Sequence, residues 1–323
     1  EYQAVGATII DRAEDIFSSA EMIVKVKEPQ AVERAMLRQG QILFTYLHLA
    51  PDPDQTKDLI SSGATCIAYE TVTSPYGGLP LLAPMSKVAG RMAIQAGAHC
   101  LEHPHGGRGI PLGGVPGVDR AKVVVLGAGV VGKHAAAIAV GMGAEVWVVD
   151  RSPEVIEAHW QQFGTSTHTV FSTRDAVEKH VLDADLVIGG VLIPGASAPK
   201  LVTREMVIAM KSGSVIVDVA IDQGGCCETS KATTHADPTY VVDDVVHYCV
   251  ANMPGGVPRT STYALNNVTL PHILTLANHG FREALKADSH LCNGLNVHDG
   301  QVTNAEVAID LGYNYVEPMS VLG

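Results

Sequence analysis

The chain has 323 residues, of which 46% are hydrophobic, so it is long enough for two domains and suits a tightly packed α/β protein. Its net charge of −12 is spread along the sequence without a basic run, which argues against a nucleic-acid partner. No apolar stretch reaches the roughly 18–20 residues of a membrane span, and the six cysteines contain no C-x-x-C pair, so membrane and dithiol-redox proteins are disfavoured.

Short strands and helices alternate in the first part of the chain. Strands are predicted over residues 21–27, 40–50 and 64–72, and an amphipathic helix over residues 55–62. The first strand ends where Glu28 precedes Pro29. This alternation predicts an α/β layer with parallel strands.

A long helix of small residues and a glycine-rich loop come next. The helix is predicted from Ser86 to about Leu101, with Pro84 and a serine cap at its start. The loop covers residues 106–117. We interpret helix and loop as the passage between two domains.

Residues 121–150 carry the pattern of a dinucleotide-binding βαβ unit. An apolar β-branched run leads into Gly127, Gly129 and Gly132, then a helix and a second strand that ends at Asp150. In this G-x-G-x-x-G spacing the glycines permit a tight turn, close approach of backbone to the pyrophosphate, and close packing of helix on strand. The helix N-terminus offers free N–H groups to the phosphates.

Asp150 stands where a carboxylate accepts hydrogen bonds from the adenosine ribose hydroxyls. It favours NAD over NADP, because a carboxylate repels a 2′-phosphate. The neighbouring Arg151 leaves NADP open, and a purely structural βαβ turn is the alternative to nucleotide binding.

The alternation continues to the end of the chain. Strands are predicted over residues 168–172, 184–191, 214–221 and 240–242, and helices over residues 153–163, 173–181 and 203–210, which together predict a doubly wound sheet. A break at residues 253–258 precedes a helix over residues 261–284, interrupted at Pro271. We therefore expect a first domain of residues 1–85 that is completed by residues 260–323, and a nucleotide-binding domain of residues 86–259.

Polar residues lie at the ends of four predicted strands, where open α/β sheets bind ligands. They are Lys27, His48, Ser172 and Asp222. Three of them also have a plain structural interpretation: Lys27 as a surface lysine, His48 as a structural histidine, and Asp222 as a cap of its loop. Asp218, on the same strand as Asp222, is interpreted as structural.

Seven segments together resemble the NAD-dependent alanine dehydrogenases of the alanine dehydrogenase and pyridine nucleotide transhydrogenase family. They are KVKEP (25–29), FTYLHLA (44–50), LPLLAPMSKVAGR (79–91), GGVPGV (113–118), VLGAGVVG (125–132), DVAIDQGG (218–225) and CVANMPGGVPRTST (249–262). The resemblance implies interconversion of L-alanine with pyruvate and ammonia by hydride transfer with NAD. It also implies two Rossmann-like doubly wound domains with a cleft between them, a discontinuous substrate domain, and a cytoplasmic homohexamer.

The resemblance also implies roles for individual residues. His48 and Asp222 would be catalytic, and Lys27 would bind the substrate. The residues expected to contact the cofactor are Ser86, Gly127, Gly129, Val130, Val131, Gly132, Asp150, Ser172, Val191, Leu192, Asn252 and Met253.

No metal site is predicted. His103 and His105 form an H-P-H sequence, which we interpret as a solvated loop without a nearby acid or cysteine pattern. Some family members use a glutamate and a histidine of the returning helix; His279 matches the histidine, but Thr275 replaces the glutamate. The family's early arginine, which clamps the substrate carboxylate, has no counterpart, so we expect roughly 40–50 residues of a leading βαβ unit to be absent from this sequence.

Three alternatives compete with an alanine dehydrogenase. The first is the soluble NAD-binding portion of a transhydrogenase, which the presence of both Lys27 and His48 disfavours. The second is an oxidoreductase of related fold that acts on another oxo acid or a lysine adduct. The third is an inactive NAD-sensing module, which would bind cofactor without turnover.

Overall fold

The computed structural model describes residues 1–191 and 198–323. Within them the chain forms two compact units. One consists of Glu1–Leu82 with Leu265–Gly323, and the other of Ala83–Ala264. The first unit is therefore built from two separated segments of the chain.

The helices of the described residues are α1 (Ala13–Ser19), α2 (Ala31–Arg34), α3 (Pro53–Ser62), α4 (Ala83–Cys100), α5 (Val130–Gly141), α6 (Pro153–Phe163), α7 (Arg174–Leu182), α8 (Arg204–Ala209), α9 (Pro258–Ala287), α10 (Ser289–Cys292), α11 (Ala305–Leu311) and α12 (Pro318–Val321). The strands are β1 (Met22–Val24), β2 (Ile42–Thr45), β3 (Thr65–Ala68), β4 (Lys122–Leu126), β5 (Glu145–Asp150), β6 (His168–Phe171), β7 (Leu186–Gly189), β8 (Val215–Asp218), β9 (Thr239–Val242), β10 (Val245–Tyr248), β11 (Leu295–His298) and β12 (Gln301–Val302).

The first unit is organised around a sheet with the strand order β1-β2-β3-β11-β12. β1, β2 and β3 are parallel, whereas β11 and β12 are antiparallel to their neighbours. Leu43, Phe44 and Ile67 are fully buried, because both faces of these central strands are covered. α3 is delimited by its own sequence: the carboxylate of Asp52 accepts a hydrogen bond from the N–H of Gln55, and Gly63 ends the helix with φ 66°.

The second unit is organised around a sheet with the order β6-β5-β4-β7-β8-β10-β9. All pairings are parallel except that of β9 with β10. β4 lies inside the sheet, and its residues Val123–Leu126 are wholly buried. The strand order reverses between β4 and β7, which is where a doubly wound sheet leaves a ligand crevice beyond the carboxyl ends of its strands.

The structure confirms the predicted alternation and corrects several boundaries. α4 begins at Ala83, so Ser86 lies inside the helix instead of capping it. β8 ends at Asp218, where the chain turns into a short 3-10 helix, Val219–Gln223. The predicted interruption at Pro271 is wrong: α9 continues through Pro271 and is broken at Gly280, which has φ 74° and ψ 156°.

Three strands, β10, β11 and β12, were not predicted. β11 contains two buried polar residues, Asn296 and His298, so its sequence lacks the continuous apolar pattern of a buried strand. The amide of Asn296 donates to the Thr71 hydroxyl at 2.7 Å, and Thr65 Oγ1 lies 2.9 Å from a ring nitrogen of His298. Among the described residues, no helix combines the length and the apolar character needed to cross a membrane.

Candidate functional site

His48 follows β2 in a backbone conformation that is uncommon outside glycine, with φ 48°. Its N–H donates a hydrogen bond to Oε1 of Glu70 at 2.6 Å, and the N–H of Leu47 donates to the same atom at 3.1 Å. Glu70 lies in the turn Tyr69–Thr71, directly after β3. Its carboxylate therefore holds the turn that presents His48.

The imidazole of His48 rests on a fixed aromatic support. It stacks on the ring of Tyr46 with a centroid distance of 5.8 Å and an interplanar angle of 4°. The Tyr46 hydroxyl donates to the carbonyl of Leu81 at 2.6 Å, and burial, reinforced by the charge of Glu70, raises the pKa of Tyr46 above its usual range. The His48 side chain itself stays 43% exposed, so it can exchange a proton with a ligand or with water.

The structure brings Lys27 and His48 together in the first unit. Glu28 lies between them, with Oε2 3.7 Å from Lys27 Nζ and Oε1 3.7 Å from His48 Nε2. The hydroxyl of Thr45 donates to the carbonyl of Lys27 at 3.1 Å and fixes its backbone beside β2. Lys25 differs, because its ammonium group forms a close ion pair with Glu33. Lys27 is thus the exposed cation beside the imidazole.

The glycine turn after β4 has the geometry that its spacing requires. Gly127 has φ 95°, and a Cβ on it would lie 3.0 Å from the carbonyl oxygen of Gly190. A Cβ on Gly132 would lie 1.8 Å from the carbonyl oxygen of Gly127, so only glycine fits there. A Cβ on Gly129, at the start of α5, would meet nothing within 4 Å. A phosphate can therefore approach this backbone closely.

Asp150 lies beside this turn at the end of β5. Its Oδ2 accepts a hydrogen bond from the N–H of Ala128 at 2.7 Å, and its Oδ1 accepts one from the N–H of Ser152 at 2.9 Å. The N–H of Ser172 donates to the Asp150 carbonyl at 2.8 Å. Because a carboxylate has about four acceptor positions, Asp150 keeps lone pairs for ribose hydroxyls.

The remaining predicted cofactor residues occupy different environments. The backbone nitrogen of Val191 lies across the glycine turn, 3.1 Å from where a Gly127 Cβ would be, whereas Leu192 falls outside the described residues. Val130 is exposed in the first turn of α5, and Val131 is buried behind it. The side chain of Met253 packs in the core of the second unit, which leaves only its backbone for a ligand.

Asn252 adopts a left-handed backbone conformation, with φ 60°. Its carbonyl lies 3.0 Å from Nε2 of His235, and its side chain is exposed. Met253 continues from it into the turn Met253–Gly256. Within the described part of the chain no hydrogen bond of the Asn252 side-chain amide is found, so this amide, which lies after β10, can interact with a ligand.

Cationic side chains that the sequence analysis missed surround the start of α5. Lys87, Arg91 and Lys133 line a cavity of about 420 Å³ together with the exposed Val130. Nε of Arg91 donates to Nδ1 of His134 at 3.3 Å. Burial and the neighbouring cations lower the pKa of His134, which keeps that nitrogen free to accept. Positive charge beside a helix N-terminus favours binding of a phosphate. Lys87 and Arg91 are spaced i, i+4 on α4, and this spacing could have indicated from the sequence that both cations lie on one face of that helix.

Asp218 and Asp222 have opposite environments. Asp218 is fully buried, and its carboxylate accepts hydrogen bonds from the backbone N–H groups of Ala220, Cys226 and Cys227, the Ser230 hydroxyl and the Cys226 thiol. Asp222 is exposed in the turn that Asp218 caps, and its side chain has no hydrogen-bond or ion-pair partner among the described residues. Asp218 therefore holds the loop, and Asp222 is left to interact with a ligand.

The expectation that no acid accompanies the H-P-H histidines is wrong. Oε2 of Glu102 lies 3.7 Å from Nε2 of His105 and 3.6 Å from Nδ1 of His99. In the returning helix, the Thr275 hydroxyl donates to the Pro271 carbonyl at 2.9 Å, so it serves the backbone of α9.

Two family models match the chain. One, described as "Alanine dehydrogenase/PNT, N-terminal domain", covers residues 1–89, and the other, "Alanine dehydrogenase/PNT, C-terminal domain", covers residues 93–305. The alanine dehydrogenase of Halomonas elongata is 60% identical over 323 residues, which are 100% of this chain and 87% of that protein. The alanine dehydrogenase of Mycobacterium tuberculosis is 52% identical over 322 residues, again 100% of this chain and 87% of that protein.

Solved structures give the same picture. A structure named L-alanine dehydrogenase superposes with a TM-score of 0.89 at 50% identity, covering 96% of this chain and 86% of that one. A transhydrogenase from Sinorhizobium meliloti superposes with a TM-score of 0.79 at 25% identity, covering 94% of this chain and 86% of that one.

Proposed function

The chain belongs to the alanine dehydrogenase/PNT family, and we propose on that premise that it catalyses the reversible oxidative deamination of L-alanine with NAD. The reaction converts L-alanine, NAD⁺ and water into pyruvate, ammonium and NADH, with release of a proton. The observation that carries the proposal is the group formed by Lys27, Glu28 and His48 at the ends of β1 and β2. It combines a cation for an oxo acid with a general acid–base beside it.

We assign the substrate chemistry to three side chains. Lys27 supplies a point positive charge for the pyruvate carboxylate or carbonyl oxygen. His48 donates a hydrogen bond to the carbonyl oxygen and acts as the general acid–base. Asp222 orients water or ammonia and stabilises the positively charged imine. When bound, the nicotinamide accepts or returns the hydride.

We assign NAD to the glycine turn of the second unit. Gly127, Gly129 and Gly132 leave backbone open to the pyrophosphate, and Asp150 binds the ribose, which favours NAD over NADP. The further contacts proposed for the cofactor are those of Ser86, Val130, Val131, Ser172, Val191, Leu192, Asn252 and Met253. The cations Lys87, Arg91 and Lys133 support the assignment, because they supply positive charge beside α5.

These assignments give each domain a separate role. Residues 1–85 and 260–323 form the substrate domain, and residues 86–259 form the NAD domain. The proposal includes a cytoplasmic location, small-molecule substrates and a homohexameric assembly, all of which the family resemblance supports. The six buried free thiols also fit a reducing compartment.

The test is NADH oxidation, followed by absorbance, with pyruvate and ammonium as substrates of the intact protein. His48→Ala should abolish turnover and leave NADH affinity nearly unchanged, because His48 acts on the substrate. Asp150→Ala should first weaken NADH binding. The matched control is His103→Ala, which removes an exposed histidine of the other unit and should keep full activity.

Two outcomes would contradict the proposal. High activity of His48→Ala would refute the catalytic assignment. NADH binding without ammonium-dependent turnover by the wild type would favour the second candidate, a cofactor-holding protein of the transhydrogenase kind, which the Sinorhizobium meliloti likeness keeps open.

A further inference from the structure

Three metal-ligating side chains meet at the end of α4, and none of the three is assigned to the reaction. His99 lies in the last turn of α4, Glu102 follows it, and His105 closes the single 3-10 turn His103–His105. One ligand atom from each of the three lies within 4.8 Å of the others. All three side chains are exposed, so a hydrated ion can reach them.

The distances suit one small cation. Oε2 of Glu102 lies 3.6 Å from Nδ1 of His99 and 3.7 Å from Nε2 of His105. Around a tetrahedral ion with ligands at about 2.0–2.1 Å, neighbouring ligand atoms are about 3.4 Å apart. Two of the three separations are thus within about 0.3 Å of a tetrahedral edge. Small rotations of the exposed side chains would complete the geometry.

Hydrogen bonds and close packing hold the backbone beneath these side chains. Leu101 is fully buried between them, and its carbonyl accepts a hydrogen bond from the N–H of Gly109 at 2.8 Å. The N–H of Gly107 donates to the Glu102 carbonyl at 3.2 Å, and a Cβ on Gly107 would lie 2.2 Å from the Cys100 carbonyl. Because the turn is already fixed, binding an ion costs only side-chain freedom.

Cys100 does not belong to the ligand set. Its side chain is buried in the core of the second unit. The donors are therefore two imidazoles and one carboxylate.

We propose that His99, Glu102 and His105 form a binding site for a divalent transition-metal ion, Zn²⁺ in the first place, with water at the fourth position. Two imidazoles and a carboxylate suit Zn²⁺, Ni²⁺ or Cu²⁺, whereas Mg²⁺ and Ca²⁺ prefer oxygen ligands only. The ion links the end of α4 to the start of the glycine-rich loop over residues 106–117. The proposal does not depend on the proposed function, because none of its residues has a part in the reaction.

The test is calorimetric titration of the intact, chelator-treated protein with ZnCl₂, with MgCl₂ in parallel. The wild type should bind one Zn²⁺ per chain at this site and no Mg²⁺ there. His99→Gln and His105→Gln should each weaken that binding by at least about 100-fold, because each removes a direct ligand. The matched control is His103→Gln, which removes an exposed histidine of the same turn that lies outside the cluster and should bind Zn²⁺ as the wild type does.

A second measurement is the rise in Tm on addition of ZnCl₂, which should occur in the wild type and in His103→Gln but not in the two ligand variants. The proposal is overturned if the wild type binds no stoichiometric Zn²⁺, in which case the two histidines only pair with the carboxylate. It is also overturned if His99→Gln and His105→Gln bind Zn²⁺ like the wild type, or if His103→Gln loses binding equally. NADH binding by all four proteins separates these results from a failure of the proposed function.

Discussion

Replacing Asp218 by asparagine should destabilise the second unit and slow turnover, because Asp218 holds the loop that carries Asp222. The carboxylate of Asp218 is fully buried and accepts every hydrogen bond that the loop directs at it. Oδ2 accepts from two backbone N–H groups and a hydroxyl, and Oδ1 accepts from one backbone N–H and a thiol. An amide replaces one of these two oxygens by a donor.

The cost can be worked from the geometry. In the better orientation the new NH₂ group takes the place of Oδ1 and leaves one backbone N–H without an acceptor, which costs about 1–3 kcal/mol when buried. The hydrogen bonds that remain lose the strength that the negative charge gave them. A Cβ on Gly189 or Gly225 would lie 2.7 Å from the carboxylate oxygens, so no space is left for a relieving water. We expect a loss of about 2–4 kcal/mol from these two effects together.

The assay is urea unfolding followed by tryptophan fluorescence, with kcat measured in parallel. Both tryptophans, Trp147 and Trp160, lie in the second unit, so the signal reports on the unit that is changed. The matched control is Asp222→Asn, which should lower kcat but change the free energy of unfolding by less than about 0.5 kcal/mol, because Asp222 is exposed. An equal free energy of unfolding for Asp218→Asn and the wild type would refute the reasoning.

Three further predictions follow from the same structure. Gly132→Ala should weaken NADH binding about tenfold or more in a fluorescence titration, since its Cβ would meet the Gly127 carbonyl; Gly141→Ala, which meets nothing within 4 Å, is the control, and equal affinity of the two variants would contradict the prediction. Glu70→Ala should lower kcat about tenfold at unchanged NADH affinity because the N–H of His48 loses its acceptor, and Glu70→Gln should restore most of kcat; equal kcat in both variants would argue against this role. Burial lowers the pKa of six histidines in the folded protein, so the unfolded chain takes up protons first as the pH falls below its pKa of about 6.5. The free energy of unfolding therefore falls as the pH falls from about 6.5 toward the folded pKa, by up to about 1.4 kcal/mol per histidine and pH unit. Tm should therefore fall between pH 7.5 and 5.5, and a constant Tm would contradict this; the histidines are His134, His159, His180, His247, His272 and His298.

The elements that could be predicted from the sequence are those whose pattern is local. β4 is an uninterrupted apolar run, buried on both faces, and a glycine turn and a helix follow it directly. β11 could not be found in this way, because Asn296 and His298 are buried through hydrogen bonds to residues more than 200 positions away. The break in α9 was placed at Pro271, whereas the long helix tolerates this proline and bends at Gly280 instead.

The candidate site divides in a similar way. Lys27 and His48 are predicted because they lie at strand ends, whereas Glu70 falls inside the predicted strand 64–72 and follows β3 only because that strand ends at Ala68. Glu28 directly follows the first predicted strand, but only the folded turns after β1 and β2 bring it between the other two side chains. Spatial neighbours from separate turns leave no pattern in a single sequence.

The sheet of the first unit cannot be completed until the last part of the chain has been synthesised. β3 pairs with β11 through Ile67 and Leu295, and the whole of Ala83–Ala264 is translated between them. The second unit is contiguous and can fold as soon as it has left the ribosome. Until β11 has been synthesised, the edge of β3 that pairs with β11 stays unpaired. An open edge of parallel strands is prone to pairing with other chains, so the nascent protein is most exposed to aggregation during this interval. Chaperone binding during translation is therefore expected at β1–β3, before the final strands arrive.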